Sequence, residues 1–372
     1  MHILFAGGGT AGHINPALAM AGQIKKKHPD AKISYIGTAE KLEATLVPQA
    51  GYDFYTIDVV GFQRSLSLKG ISKNVIALKK AVTSSLKAKK ILKDIKPDLV
   101  IGTGGYVSGP VLREAAKLKI KTAIHEQNAY PGVTTKMLAP MVDIVMLAMP
   151  EAEKYLKNIK KLVVTGNPVR GDFLLADKEL ARARLGIDSR PMILSFGGSL
   201  GARAINESVN KLICSHWESG KYIHYHSTGK LGYNDFVASL KENGVNIDAE
   251  NLRISEYISD MADCMAAADL IIGRAGAITL TEIQAMGRAS ILIPSPYVAE
   301  NHQYHNAMSL KNNNAAEVIE EKDLTPELLI KSVDEILGNP ENAQKMGKTA
   351  REMAIIDANE RIYDCLIELL NN

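Results

Sequence analysis

His13 is the side chain best placed in this sequence to move a proton. It ends the run Phe5-Ala6-Gly7-Gly8-Gly9-Thr10-Ala11-Gly12-His13, with Pro16 following where a first helical turn tolerates a missing amide N–H. An unperturbed imidazole titrates at about 6.5, so near pH 7 it is available as a neutral base. Glu282 is the second group of interest. It lies one turn past the amides that follow Ile272-Gly273-Arg274-Ala275-Gly276. A carboxylate there can accept hydrogen bonds from two ribose hydroxyls while the phosphates sit at the helix end, or it can serve only the helix dipole.

The stretches around these groups are glycine turns. Beside Gly7–His13 stand Gly102-Thr103-Gly104-Gly105-Tyr106-Val107-Ser108-Gly109-Pro110 and Gly197-Gly198-Ser199-Leu200-Gly201-Ala202. Turn amides and a positive helix end together bind anions. Glycine also serves ordinary tight turns, but three such turns in one chain point to phosphate or sugar binding. Ile124-His125-Glu126-Gln127-Asn128-Ala129-Tyr130-Pro131-Gly132 concentrates hydrogen-bonding side chains at a further strand end. That composition suits a sugar with several hydroxyls, or a structural loop.

The elements that must position these residues alternate. Short β-rich runs at Ile3–Ala6, Lys32–Ile36, Asp53–Ile57, Asp98–Ile101, Thr122–Ile124, Ile144–Leu147 and Leu162–Val164 are separated by segments of helical periodicity. After the turn-rich Thr165-Gly166-Asn167-Pro168-Val169-Arg170 the scheme restarts with Met192–Phe196, Tyr222–Tyr225, Leu252–Ile254, Leu270–Ile272, Ser290–Ile293 and Ala316–Val318. Such alternation predicts parallel sheets with helices on both faces. The expected fold is α/β, with two Rossmann-like doubly wound parallel-sheet domains facing across a cleft. The expected domains are 1–165 and 166–357, with the closing helix at 358–372 able to pack on either and grouped with the first. Ligands of such sheets bind at the carboxyl ends of the strands.

Several classes are excluded. The dinucleotide fingerprint needs G-x-G-x-x-G and an acid at the end of the second strand, which here runs into Gly37-Thr38. No turn is followed by the Lys-Ser/Thr of a P-loop. The chain has 372 residues, 46% hydrophobic and 23% charged, and a net charge of +3 that does not call for nucleic acid. Cys214, Cys264 and Cys365 lack metal spacing, and a reduced compartment is expected. The N-terminus runs straight into a strand, and no apolar run approaches membrane-span length, so neither export nor a transmembrane anchor is expected. No Asp-x-Asp pair stands at a strand end, so no protein-bound metal or other cofactor is expected.

Taken together the motifs resemble the bacterial peptidoglycan N-acetylglucosaminyltransferases of the MurG family, which have the GT-B fold. The resemblance rests on Gly8-Gly9-Thr10-Ala11-Gly12-His13, Gly104–Pro110, His125-Glu126-Gln127-Asn128, Gly166-Asn167-Pro168-Val169-Arg170, Gly197–Ala202, Arg274-Ala275-Gly276-Ala277 with Glu282, and Gln303 with Asn306-Ala307. It implies inverting transfer of N-acetylglucosamine from UDP-N-acetylglucosamine to lipid I, the undecaprenyl-pyrophosphoryl-muramoyl peptide, forming lipid II. By motif, the donor site would comprise Thr10, Ala11, Gly12, Asn128, Arg170, Ser199, Ile258, Ala277, Ile278, Thr279, Leu280, Thr281, Glu282 and Gln303. Gly104, Gly105, Tyr106 and Ser108 would lie on the acceptor side, with His13 as the base. Arg170 would add positive charge for departing UDP. Ala11 stands where many relatives carry glycine. The competing readings are another GT-B enzyme, such as a diacylglycerol glycosyltransferase, and a nucleotide-sugar binder without catalysis.

A lipid-linked acceptor requires access to a membrane. Between Arg64 and Lys96 the sequence has Lys69, Lys73, Lys79, Lys80, Lys87, Lys89, Lys90 and Lys93, against Asp94 as the single acid. Ile71, Val75, Leu78, Val82, Leu86 and Ile91 recur at roughly helical spacing. A basic amphipathic helix of this kind predicts binding to an anionic membrane surface, here the cytoplasmic face.

Overall fold

The computed structural model describes residues 1–59 and 82–372 in full, and residues 68–81 as helix backbone. Residues 60–67, and with them Arg64, lie outside the described residues, as do the side chains of 68–81.

Among the described residues thirteen strands form two sheets, one in each of two compact units. Each run expected to be a strand is one. The first sheet contains β1 (His2–Gly7), β2 (Lys32–Gly37), β3 (Asp53–Thr56), β4 (Leu99–Gly104), β5 (Lys121–Glu126), β6 (Ile144–Leu147) and β7 (Leu162–Val164). Its order is β3-β2-β1-β4-β5-β6-β7, and the pairs are parallel. The second contains β8 (Met192–Phe196), β9 (Ile223–Ser227), β10 (Leu252–Ser255), β11 (Leu270–Gly273), β12 (Ala289–Leu292) and β13 (Glu317–Val318). Its order, β10-β9-β8-β11-β12-β13, repeats that of the first, again with parallel pairs. In each unit the order reverses beside its first strand, the topological switch point of a doubly wound sheet.

Strand β1 shows why its sequence reads as a continuous apolar run. Successive side chains of a strand point to opposite faces, and helices cover both faces of a parallel sheet. Ile3 and Phe5 join one core with Ala17, Met20 and Ile24 of the helix Ala11–Lys27. Leu4 and Ala6 join the other, with Val111 and Leu112 of the helix Gly105–Lys117 and Ala88 and Leu92 of the helix Leu68–Ile95.

The first unit runs from Met1 to Pro168 and is completed by Asp357–Asn372. Its last helix, Ala358–Asn371, puts Ile362 and Leu366 into the core beside Ile3 and Phe5. At its rim Glu360 pairs with Lys27 and accepts from Gln23 Nε2 at 2.6 Å. The second unit is Val169–Ile356. The units therefore divide three residues beyond the 165/166 boundary expected from the turn. Gly166 and Asn167 belong to the first because the Gly166 carbonyl bonds the His125 ring at 3.0 Å and Asn167 Nδ2 donates to the Gln127 carbonyl at 3.2 Å.

Candidate active site

In the first unit the site is built where the loops after β1 and β4 meet. A Cβ on Gly105 would overlap the Gly8 carbonyl oxygen, and Gly105 has φ +75°. Only glycine lets the two turns approach this closely. The hydroxyl of Ser108 locks the junction: it accepts from the Gly104 N–H at 3.0 Å and donates to the Ala6 carbonyl at 2.7 Å. Ser108, expected to face the acceptor, is fully buried and serves this junction instead, whereas Tyr106 beside it is 61% exposed.

His13 sits in the first turns of the helix Ala11–Lys27 with its ring against Gly104, where a Cβ would come within 2.6 Å of Nδ1. Its Nδ1 is 3.3 Å from Gln127 Oε1. Ala11 opens the helix, a conformation in which its Cβ is accommodated without strain. Thr10 is the N-cap but makes no side-chain capping bond.

Glu43 was not recognised in the sequence. It is buried, and its carboxylate accepts from the Gly9 N–H at 3.1 Å and from the Thr38 N–H and hydroxyl at 3.0 and 2.7 Å. One amide of the first glycine turn is thus already engaged by an anion. The signal was an acid five residues beyond Thr38, displaced from the strand end where the dinucleotide fingerprint places one.

The His125–Asn128 stretch is largely turned inward. His125, Glu126 and Gln127 are 0%, 3% and 2% exposed. Glu126 organises the loop, accepting from the Asn128 N–H and Nδ2 at 3.1 Å each, the Gly132 N–H at 3.0 Å and the Thr135 hydroxyl at 2.6 Å. Asn128 is the member of the four that is partly exposed. Composition showed hydrogen-bonding capacity but not that most of it is spent on the loop itself.

In the second unit the turn Gly197–Ala202 leads into the helix Arg203–His216. Its Gly201 N–H donates to the Gly198 carbonyl at 2.8 Å, and a Cβ on Gly201 would overlap the Thr228 carbonyl. Beneath it Asn206 Nδ2 donates to that same carbonyl at 2.9 Å, and Asn206 Oδ1 meets His226 Nε2 at 3.2 Å. Burial pushes the His226 imidazole down to about 3, so it is neutral. Ser199 is exposed at the tip of the turn. A groove beside the turn is lined by Gly197, Arg203, Arg274, Ser295, Tyr297 and Gln303. Arg274 donates to the Ile293 carbonyl at 3.1 Å and pairs with Glu321, and Gln303 Oε1 accepts the Ser295 N–H at 2.9 Å.

The helix Ala277–Met286 carries the remaining residues expected to bind donor. Gly276 is its N-cap and makes no side-chain cap, so the first-turn amides of Ala277, Ile278 and Thr279 lack such a partner. Leu280 is buried, and the Thr281 hydroxyl donates to the Ala277 carbonyl at 2.9 Å. Ile258 is 2% exposed after β10. The carboxylate of Glu282 lies 3.9 Å from Arg170 Nη2, and Arg170 is also 3.8 Å from Asp172. Burial pushes the Glu282 carboxyl up to about 7; Arg170 pulls it down and Asp172 pushes it further up. Among the described residues no three His, Cys, Asp or Glu side chains are grouped to hold a metal ion, and no helix is long and apolar enough to cross a membrane.

Two matched doubly wound units, each with a glycine turn on its first strand, define the class. Residues 3–147 match the N-terminal domain of glycosyltransferase family 28 and residues 192–362 its C-terminal domain. Along its full length the chain is 46% identical to the UDP-N-acetylglucosamine--N-acetylmuramyl-(pentapeptide) pyrophosphoryl-undecaprenol N-acetylglucosamine transferase of Acetivibrio thermocellus, covering 99% of that protein. It is 47% identical to the one from Thermoanaerobacter sp., over 98% of each chain. The crystal structure of Acinetobacter baumannii MurG superposes with a TM-score of 0.78 at 30% identity, over 99% of both chains. The chain belongs to this transferase family, the MurG family, and has the GT-B fold.

The Glu282 carboxyl gives a stability prediction. Its folded-state value of about 7 lies above the ordinary 4.5. The folded protein therefore binds the proton more tightly than the unfolded chain. This contribution is full below pH 4.5 and is lost as pH rises through 7. Glu282→Gln removes the partly buried charge. It is expected to raise the thermal midpoint at pH 8 by several degrees and to change it little at pH 5, as read by calorimetry. An equal shift at both pH values would show that ionisation is not the cause.

Proposed function

We propose that this chain catalyses the inverting transfer of N-acetylglucosamine from UDP-N-acetylglucosamine to undecaprenyl-pyrophosphoryl-N-acetylmuramoyl peptide, lipid I, forming lipid II. The observation that carries the reading is the full-length identity of 46% to a transferase of that name. The chemistry of the residues fits it.

The second unit holds the nucleotide sugar. Glu282 accepts hydrogen bonds from the ribose hydroxyls, and Arg170, now its ion-pair partner, is released toward the diphosphate. Ser199, the turn amides and the N-terminus of the helix Ala277–Met286 receive phosphate oxygens. Ile258 presents backbone groups to the uracil, and Gln303 and Asn128 serve the sugar. Thr10, Ala11 and Gly12 contribute amides from the first unit, whose Gly104, Gly105 and Tyr106 line the acceptor side. His13 takes the proton of the acceptor hydroxyl as its oxygen bonds to the anomeric carbon. The bond from that carbon to the UDP oxygen breaks, and its electron pair leaves with UDP. Preorganised amides and the Arg170 guanidinium stabilise the charge that develops there.

Membrane access comes from the basic helix. In its described part Ser84, Ala88 and Leu92 face the core, while Val82 and Leu86, one turn apart, are 56% and 63% exposed among exposed lysines 87, 89, 90 and 93. An apolar pair flanked by lysines fits an anionic surface, each lysine adding about 1 kcal/mol. On this reading the protein works as a peripheral protein on the cytoplasmic face of the membrane. Co-sedimentation with vesicles is expected to grow with anionic lipid content and to fall with salt. Binding indifferent to both would contradict this role.

The activity is tested by transfer of label from UDP-N-acetylglucosamine into a butanol-extractable lipid. A lipid I analogue is expected to be labelled and diacylglycerol is not; the reverse would favour the diacylglycerol enzyme, and UDP binding without transfer would favour a binder. His13→Ala is expected to lower turnover at saturation by about 10² to 10⁴ and to leave the donor KM within a few-fold. Loss of donor binding with unchanged turnover would remove His13 as the base.

A further inference from the structure

A base that takes a proton through Nε2 must keep its own proton on Nδ1. An isolated neutral imidazole has no such constraint, since either nitrogen can carry it. Three buried groups of the first unit remove the choice at His13.

The starting point is the Gly166 carbonyl, which can only accept. It lies 3.0 Å from His125 Nε2, so that nitrogen carries a proton. His125 is wholly buried, and burial holds its imidazole below the ordinary value, so it is neutral. Its Nδ1 is then an acceptor. The Gln127 side chain approaches that nitrogen at 3.1 Å and the backbone carbonyl of His125 at 3.0 Å. Both are acceptors, so the end of the amide facing them must be the NH₂ group. The opposite orientation would set the amide oxygen against two lone pairs. Gln127 Oε1 is left facing His13 Nδ1 at 3.3 Å. An amide oxygen cannot donate, so His13 Nδ1 must. The lone pair of His13 stays on Nε2.

We infer that His125 and Gln127 are positioning residues that fix His13 as the Nδ1–H tautomer and aim its Nε2 lone pair at the acceptor hydroxyl. The inference rests on the reading of His13 as the base and deepens it. The partner of the histidine is a neutral amide rather than a carboxylate. When His13 takes up the proton, the new charge is stabilised by the Gln127 Oε1 dipole, and no buried anion has to be maintained between turnovers. Gly104 completes the setting, because the ring lies where a Cβ would stand within 2.6 Å of Nδ1 and 2.8 Å of Cε1. The Asn167 Nδ2 bond to the Gln127 carbonyl at 3.2 Å holds the backbone from which the amide projects.

The test uses full-length protein labelled with ¹⁵N-histidine, the His13 signals being assigned by their loss in His13→Ala. Two-bond ¹⁵N–¹H spectra above pH 8 report which ring nitrogen carries the proton. The wild type is expected to show His13 protonated on Nδ1, and Gln127→Met to show the Nε2–H form in a substantial share. In the transfer assay Gln127→Met is expected to lower turnover by about 10- to 100-fold with the donor KM within twofold. A wild-type His13 protonated on Nε2 overturns the inference, as does a Gln127→Met variant with unchanged tautomer and turnover. If the tautomers are as stated while His13→Ala keeps its turnover, the base reading fails and the relay stands as a structural feature.

Discussion

The structure depends on backbone meeting backbone with no side chain between. In the first unit the turn after β1 touches the turn after β4 through Gly8 and Gly105; in the second, Gly201 meets the Thr228 carbonyl and Gly229. Both contacts lie at the carboxyl ends of the central strands, where a doubly wound sheet opens toward its ligand. The closeness has a chemical consequence. It brings helix N-termini, which carry unbonded amides and positive potential, to the same edge as the reactive side chains. In the first unit it also leaves a bare Gly104 surface for the His13 ring.

The carboxylates of the molecule divide accordingly. Glu43 and Glu126 are buried and accept several hydrogen bonds each, Glu43 from Gly9 and Thr38 and Glu126 from its own loop, so both are structural. Glu43 takes the Gly9 amide, so that amide of the first glycine turn is not open to a phosphate. Glu282 is different. It is partly buried beside one arginine at 3.9 Å, without the amide donors that satisfy the other two. A carboxylate held this way is disfavoured in its charged form. The same asymmetry separates the histidines: His226 is neutral and structural, and His13 has one nitrogen tied to Gln127.

Much of this was legible in the sequence for physical reasons. A parallel strand buried on both faces must be apolar throughout, so runs such as Ile3–Ala6 and Leu270–Ile272 announced themselves. Glycine turns after those runs marked the carboxyl ends of the strands. What sequence could not show was how side chains are spent. Ser108 and most of His125–Gln127 looked like ligand-facing polar groups, yet they are consumed in holding the turns. Glu43 gave only the local signal of an acid five residues beyond Thr38, and the Gly166 carbonyl gave none, because the Gly9 and His125 partners lie 34 and 41 residues away. For the same reason Gly166 and Asn167 are tied to β5 and its loop by bonds invisible to composition.

The central claim is that the nucleotide belongs to Glu282 and the Gly197–Ala202 turn, while the turn after β1 supplies the base. A crystal structure with UDP bound tests it most directly. The account predicts both ribose hydroxyls on the Glu282 carboxylate, Arg170 moved off that carboxylate, and Glu43 still accepting the Gly9 N–H. Nucleotide phosphates on the Gly9 amide, with Glu43 displaced and Glu282 untouched, would contradict it.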